Sequence, residues 1–262
     1  MSTSSDDAVT DPSASSAREP RPFVFWFLAG IVVPLVGIIM KIRIRPGDSL
    51  APNGAYVLAP NHYTEIDPLV VAVAVWRLKR PPRFMAKESL FRVPVLGWAL
   101  RSTGMIPVSR QSSSASAKQT LAASEMLVEH GRGVIVYPEG TLTRDPDMWP
   151  MRGKTGAVRL ALEAGIPLIP MAHWGAQKVL PRYGKRISLW PPRKLVTVAI
   201  GQPVDVSDLV GQHTRPAALA EATNRLMNAI TALLEDLRDE KAPAQRWDPS
   251  AHGQKETGRI EP

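Results

Sequence analysis

Apolar and polar positions divide this chain into unlike parts. From Phe23 to Met40 an 18-residue run carries no charge. As a helix rising about 1.5 Å per residue it would measure about 27 Å, close to the roughly 30 Å of a bilayer's hydrocarbon core. Pro34, flanked by Gly30 and Gly37, predicts a bend, which suits a re-entrant anchor as well as a tilted span. Lys41, Arg43 and Arg45 follow at once, and by the positive-inside tendency the chain downstream lies on the cytoplasmic side. A cleaved signal peptide is not expected, because the preceding arm is net acidic and the run ends in basic residues.

Beyond Ile42, short β-type runs alternate with longer helical ones. Residues 55–59, 83–86, 105–108, 133–137, 167–171 and 195–200 read as strands. Between them, roughly 67–79, 113–130 and 154–164 read as helices, the last stopping at Gly165. A further helix opens at Thr214-Arg215-Pro216 and sets Leu219, Leu226, Ile230, Leu233, Leu234 and Leu237 near one face. This pattern predicts an α/β fold: a mixed, largely buried sheet flanked by helices, with an N-terminal membrane-associated helical segment. The expected organisation is a disordered arm over 1–20, a spanning or re-entrant anchor over 21–41, one domain over 42–240 and a flexible tail over 241–262.

Composition narrows the chemistry. The 262 residues contain no cysteine, so disulfide scaffolds, thiolate metal sites and a covalent thioester on the protein are excluded. The formal charge of +8 is uneven: residues 1–40 carry −2, residues 41–200 carry +13 and residues 201–262 carry −3. An anionic partner is therefore sought by the middle of the chain. Trp76-Arg77-Leu78-Lys79-Arg80, and Phe91-Arg92 with Trp98 and Arg101, interleave basic and aromatic residues, as interfacial surfaces often do.

Two loops leave predicted strands with candidate chemistry. In Pro60-Asn61-His62-Tyr63-Thr64-Glu65-Ile66-Asp67 the loop can fold His62 back to Asp67, which fixes the tautomer and leaves the other ring nitrogen as a base. The same residues also suit a plain turn with Asp67 as an N-cap. Tyr137-Pro138-Glu139-Gly140-Thr141-Leu142-Thr143-Arg144 joins a carboxylate, hydroxyls, turn amides and a guanidinium. It could grip a phosphate or form only a polar hairpin.

With a third stretch, Phe84 to Gly97, and a fourth, Ile166 to Met171, the order and spacing form a pattern. Over about residues 23–205 the chain resembles the PlsC-type glycerolipid acyltransferases, whose type members are the 1-acylglycerol-3-phosphate acyltransferases. The family's N-H-x4-D block matches Asn61, His62 and Asp67, and its K-x-E-L-like, P-x-x-G block matches Lys87, Glu88, Pro94 and Gly97. A strand ending in a basic residue matches Gly104 to Arg110, P-E-G-T matches Pro138 to Thr141, and V-P-I-V-P matches Ile166 to Pro170. One departure stands out: Leu142 occupies the place of the family's usual arginine, and Arg144 follows two residues later.

The resemblance implies acyl transfer from acyl-CoA or an acyl carrier protein to the free hydroxyl of lysophosphatidic acid, giving phosphatidic acid, at the cytoplasmic face of the cell membrane. It implies His62 as general base oriented by Asp67, and Lys87, Arg110, Glu139, Gly140, Thr141 and Arg144 as substrate-binding residues. No metal or cofactor beyond the thioester co-substrate is expected, and the expected partners are the lysophospholipid, the thioester carrier and a phospholipid bilayer, not nucleic acid. Leu142 leaves open glycerol 3-phosphate, another lysophospholipid or a glycolipid as acceptor. A metal-dependent hydrolase using His62, Asp67 and Glu139, and a nucleic-acid-binding module, are the rivals from other classes.

Overall fold

The computed structural model describes residue 19 and residues 21–108 and 113–255, with the side chains of 87, 108 and 113–120 outside the description. Its elements run α1 (Phe23–Ile39), β1 (Met40–Ile44), β2 (Tyr56–Pro60), α2 (Asp67–Arg77), β3 (Met85–Lys87) and α3 (Pro94–Ser102). They continue with β4 (Ile106–Val108), α4 (Ser113–Glu129), β5 (Gly133–Ile135), α5 (Gly156–Ala164), β6 (Leu168–Trp174), β7 (Lys194–Ile200) and α6 (Pro216–Arg238). The sheet has the order β1-β7-β6-β2-β5. All its pairs are parallel except β6 with β7. A short parallel pair, β3 and β4, continues it through a bridge between Phe84 and Ile135. The mixed, helix-flanked sheet expected from the sequence is present.

β2, β5 and β6 are buried through most of their lengths, which is why they read as continuous apolar runs rather than alternating ones. One core lies between the sheet and α2, where Val70, Val71, Ala74 and Val75 pack on Leu58, Met171 and Val198. A second lies on the other side, where α4, α5 and α6 cover Val57, Val134 and Leu168. Gly165 ends α5 in the left-handed region at φ 62°, a conformation that costs glycine nothing.

Several expectations are corrected. α1 has 17 residues and passes directly into β1, and among the described residues no helix is long and apolar enough to cross a membrane. Phe25 and Val36 are buried, and Val32, Val33 and Ile39 pack on the core, so α1 lies along the domain. Met40-Lys41-Ile42-Arg43-Ile44 alternates buried and exposed positions. Lys41 and Arg43 are therefore the outward residues of a strand that directly follows α1.

Both expected free ends are partly packed. Glu19, in the supposed disordered arm, is buried and ion-paired with Arg80 at 2.8 Å and with Arg83. In the supposed free tail, the carbonyl of Trp247 accepts from the Arg152 amide at 2.9 Å, Arg246 donates to Asn228 at 2.6 Å, and Trp247 stacks on His252. The aromatic ring gives that segment apolar area to bury. The rest of the arm, residues 1–18 and 20, and the end of the tail, residues 256–262, lie outside the described residues. α3, unforeseen from the sequence, starts on Pro94 and spans only nine residues, too few for a clear period.

Candidate active site

β2 and β5 are parallel neighbours, so the loops that leave them emerge at one end of the sheet. The first carries His62. Its Nδ1 lies 3.0 Å from Asp67 Oδ2, and that oxygen also accepts from the amides of Tyr63 at 2.6 Å and Thr64 at 2.9 Å. With three donors on one oxygen, Nδ1 carries the proton and Nε2 keeps its lone pair. Asp67 does not cap α2, whose N-cap is Ile66. It opens the helix and turns its carboxylate back on the loop, where the helix N-terminus favours negative charge. The His62 side chain is 16% exposed while Asp67 is fully buried, so the base can be reached from outside and its partner cannot.

A second histidine stands behind the first pair. His173, on β6, is fully buried with Nε2 3.9 Å from Asp67 Oδ1. Its Nδ1 lies 3.2 Å from the Tyr63 hydroxyl, which accepts from the Ala176 amide at 3.3 Å. That hydroxyl is thus turned to donate to Nδ1, leaving the Nε2 proton directed at Asp67. Burial holds the His173 pKa below the ordinary histidine value, so the ring is neutral. Asn61 fixes the two strands' relation: its amide donates to the His173 carbonyl at 3.1 Å and its oxygen accepts from the His173 amide at 2.9 Å.

The loop after β5 clamps the backbone of His62. Glu139 Oε1 accepts from the His62 amide at 2.9 Å, and the His62 carbonyl accepts from the Thr143 amide at 2.6 Å. Glu139 Oε2 accepts from the Met151 amide at 3.0 Å. Glu139 is fully buried, and desolvation pushes its pKa up to about 8 against two backbone donors that pull it down. Tyr137 stacks on the His62 ring at 4.1 Å between centroids. Gly140 sits at φ 68°, and a Cβ there would stand 3.1 Å from the Lys154 side chain, so the turn needs glycine and carries a lysine across it.

The predicted site residues therefore fall into groups. His62, Asp67 and Glu139 come together, and Gly140 and Thr141 follow Glu139 in the same turn. Arg144 is 3% exposed and Leu142 7%, so the arginine expected to reach out to a phosphate is instead held within the protein. Arg110 and the side chain of Lys87 lie outside the described residues. Tyr63, Tyr137, Lys154 and His173 were missed as site residues: Tyr137 directly precedes the P-E-G-T block, whereas His173 is brought in only by strand pairing. Of the basic and aromatic clusters, Arg80 is wholly buried and cannot form an interfacial surface. Among the described residues no group of three His, Asp or Glu could hold a metal ion.

A family model described as Acyltransferase matches residues 41–174. A 1-acyl-sn-glycerol-3-phosphate acyltransferase of Chlamydomonas reinhardtii is 27% identical over 75% of this chain, which spans only 57% of that relative's length. One of Salmonella typhimurium is 30% identical, covering 78% of each chain. The crystal structure of the 1-acyl-sn-glycerophosphate (LPA) acyltransferase PlsC from Thermotoga maritima shares the fold, with a TM-score of 0.59 at 18% identity over 84% of this chain and 80% of that one. With a family model covering the strands and loops that build the His62 site, and a relative of this identity along most of its length, the chain belongs to the acyltransferase family.

Proposed function

We propose that this protein transfers a fatty acyl group from an acyl thioester, carried by CoA or acyl carrier protein, to the free hydroxyl of lysophosphatidic acid, giving phosphatidic acid. The observation that carries the reading is the His62–Asp67 pair, with Nδ1 committed to the carboxylate and Nε2 left for a substrate hydroxyl. The hydroxyl proton passes to Nε2 as its oxygen attacks the thioester carbon. The tetrahedral intermediate expels the thiolate, which takes the proton back from the imidazolium. A base so placed contributes about 10²–10⁴-fold, and the buried Asp67 charge stabilises the imidazolium as it forms.

The acceptor's phosphate is assigned to Lys87, Arg110 and the turn at Gly140 and Thr141. Arg144 is buried in the same loop, and Lys154 adds a cation beside Gly140. Phe23, Trp26, Phe27, Ile31, Leu35 and Ile38 on α1 are exposed, an apolar stripe larger than a soluble domain usually presents. It supports a site held on the cell-membrane surface by a helix lying in the interface.

The test is an assay of the purified full chain with acyl-CoA and with acyl carrier protein thioester against lysophosphatidic acid, glycerol 3-phosphate, a second lysophospholipid and a glycolipid. Phosphatidic acid formed with release of one thiol per ester is the expected result. Preference for another acceptor overturns the acceptor and leaves the reaction class. Thioester turnover undiminished in both His62→Ala and Asp67→Ala sinks the mechanism.

A further inference from the structure

The segment between the short 3₁₀ helix Ala176–Lys178 and β7 was not singled out in the sequence, yet it has an unusual surface. From Arg182 to Lys194 there are five basic residues and no acidic one. Ile187 is 51% exposed, Leu189 61% and Trp190 83%, and Lys185, Arg186 and Arg193 are exposed beside them. A loop that presents a tryptophan and two large aliphatic side chains to solvent, ringed by cations, departs from ordinary surface composition.

The loop is held in place rather than trailing. The Ser188 amide donates to the Val179 carbonyl at 2.7 Å, and Lys194 Nζ donates to the Ser188 carbonyl and hydroxyl at 2.6 Å. Arg182 donates to the carbonyls of Thr143 at 2.7 Å and Asp145 at 2.6 Å, so the loop's base is tied to the same segment that clamps His62.

Its position matters as much as its composition. β7 runs antiparallel to β6, which is parallel to β2. The start of β7 therefore lies at the end of the sheet where β2 delivers His62. At that start Lys194 pairs with Met40, the residue directly after α1. The loop ends where the exposed stripe of α1 ends, and the two surfaces meet at the catalytic end.

We propose that residues 185–193 form a second membrane-docking element, in which Leu189 and Trp190 enter the interface and Lys185, Arg186 and Arg193 bind the phosphates of anionic lipids. Tryptophan suits the headgroup level because its ring is apolar and its N–H is polar, and clustered basic residues are drawn to an anionic leaflet. Two contacts, α1 and this loop, set the orientation of the catalytic end toward the lipid, which one helix alone leaves free to roll. The inference rests on the reading of the chain as an enzyme of the membrane surface.

The experiment measures partition of the full chain onto vesicles of phosphatidylcholine alone and of phosphatidylcholine with one part in three phosphatidylglycerol, at low and high salt. No acyl donor or acceptor is present, so this surface and the acyl-transfer reading can fail separately. Leu189→Ser with Trp190→Ser, and Lys185→Glu with Arg186→Glu, are each expected to lower partition onto the anionic vesicles at low salt by about tenfold or more. The charge-reversal loss is expected to vanish at high salt. To guard against misfolding, Leu189→Cys creates a single thiol in this cysteine-free chain. An environment-sensitive dye attached there should shift to the blue on anionic vesicles. Folded variants that partition like the native chain, a dye that does not shift, or binding to duplex nucleic acid with no partition onto vesicles would overturn the proposal.

Discussion

The two ends of the sheet both bury charge and use it differently. Below the strands, Arg80 is fully buried with Nη1 donating to the Ala51 carbonyl and Nη2 to the carbonyls of Gly54 and Gly131, all within 3.1 Å. Glu19 balances it at 2.8 Å, and its guanidinium lies 4.7 Å over the Tyr56 ring. Every one of those partners belongs to the protein. Above the strands, Asp67 is as deeply buried, and its network reaches a partly exposed group: His62 Nδ1 is committed to Oδ2, while the ring itself is 16% exposed. A buried charge bound mainly to its own backbone fastens segments together. One that leaves a reachable base at the end of its chain of bonds is arranged for a molecule from outside.

Exchanging the consequences is the sharpest way to break this contrast. His62→Ala should lower kcat by about 10²–10⁴ and leave the midpoint of chemical unfolding nearly where it was, because the ring is partly exposed and its loop is held through backbone bonds to Glu139 and Thr143. Steady-state turnover and urea denaturation of the same preparation decide it. Arg80→Met should do the reverse, destabilising the fold by about 3–5 kcal/mol through the orphaned carbonyls and a buried Glu19 left with Arg83 as its one cation, with turnover per folded molecule little changed. An Arg80→Met protein as stable as the native chain would mean that the lower cluster is not a fastening.

The sequence made the upper end more legible than the lower for reasons of spacing. His62 and Asp67 are five residues apart and sit on a strand-to-helix turn, so local geometry allowed the pair beside a plain turn, and the family resemblance chose between them. Glu19 and Arg83 meet across 64 residues, and nothing near Glu19 distinguishes it from the acidic arm around it. His173 reaches Tyr63 across 110 residues because β6 lies beside β2, a pairing that no local pattern encodes. β1 was hidden by its neighbour: the alternation from Met40 to Ile44 is a strand signal, but an uncharged run ending at Met40 made the same basic residues look like a membrane flank. Arg144 was legible as a residue of the site loop and not as a buried one, since burial three residues after the P-E-G-T block depends on the segment packed over it.

Glu139 tests how far the upper end tolerates its own buried charge. Its folded-state pKa, about 8, lies above the ordinary 4.5, so between those values the native protein keeps a proton that the unfolded chain releases. The contribution is full below about pH 4.5 and is lost as pH rises toward 8. A shift of this size corresponds to a difference of a few kcal/mol across the window. Glu139→Gln cannot ionise, so the native-minus-variant difference in unfolding free energy, measured by urea denaturation from pH 5 to 8.5, should fall with pH at that rate. A difference that stays flat would place Glu139 as a stable carboxylate throughout, held by the His62 and Met151 amides.

The smallest effect expected is at His173, and it separates positioning from packing. Its Nε2 stands 3.9 Å from Asp67 Oδ1, an oxygen with no hydrogen bond of its own. The neutral ring supplies a dipole aimed at the carboxylate rather than a full bond. His173→Phe keeps an aromatic ring in the space and removes that dipole, and it leaves the Tyr63 hydroxyl with only the Ala176 amide. If His173 acts through Asp67, kcat should fall about three- to tenfold with KM unchanged, the size expected for one weak polar contact to the group that orients the base. His173→Gln, which can still present an N–H toward Asp67, should recover part of the loss. A purely structural role predicts another order: both variants would lose stability, glutamine more than phenylalanine because it gives up the ring's packing and buries an amide whose groups are not all paired, and turnover per folded molecule would not move. The ranking of the two substitutions by kcat, set against their ranking by unfolding midpoint, therefore decides whether the buried polar chain behind His62 ends at Asp67 or at His173.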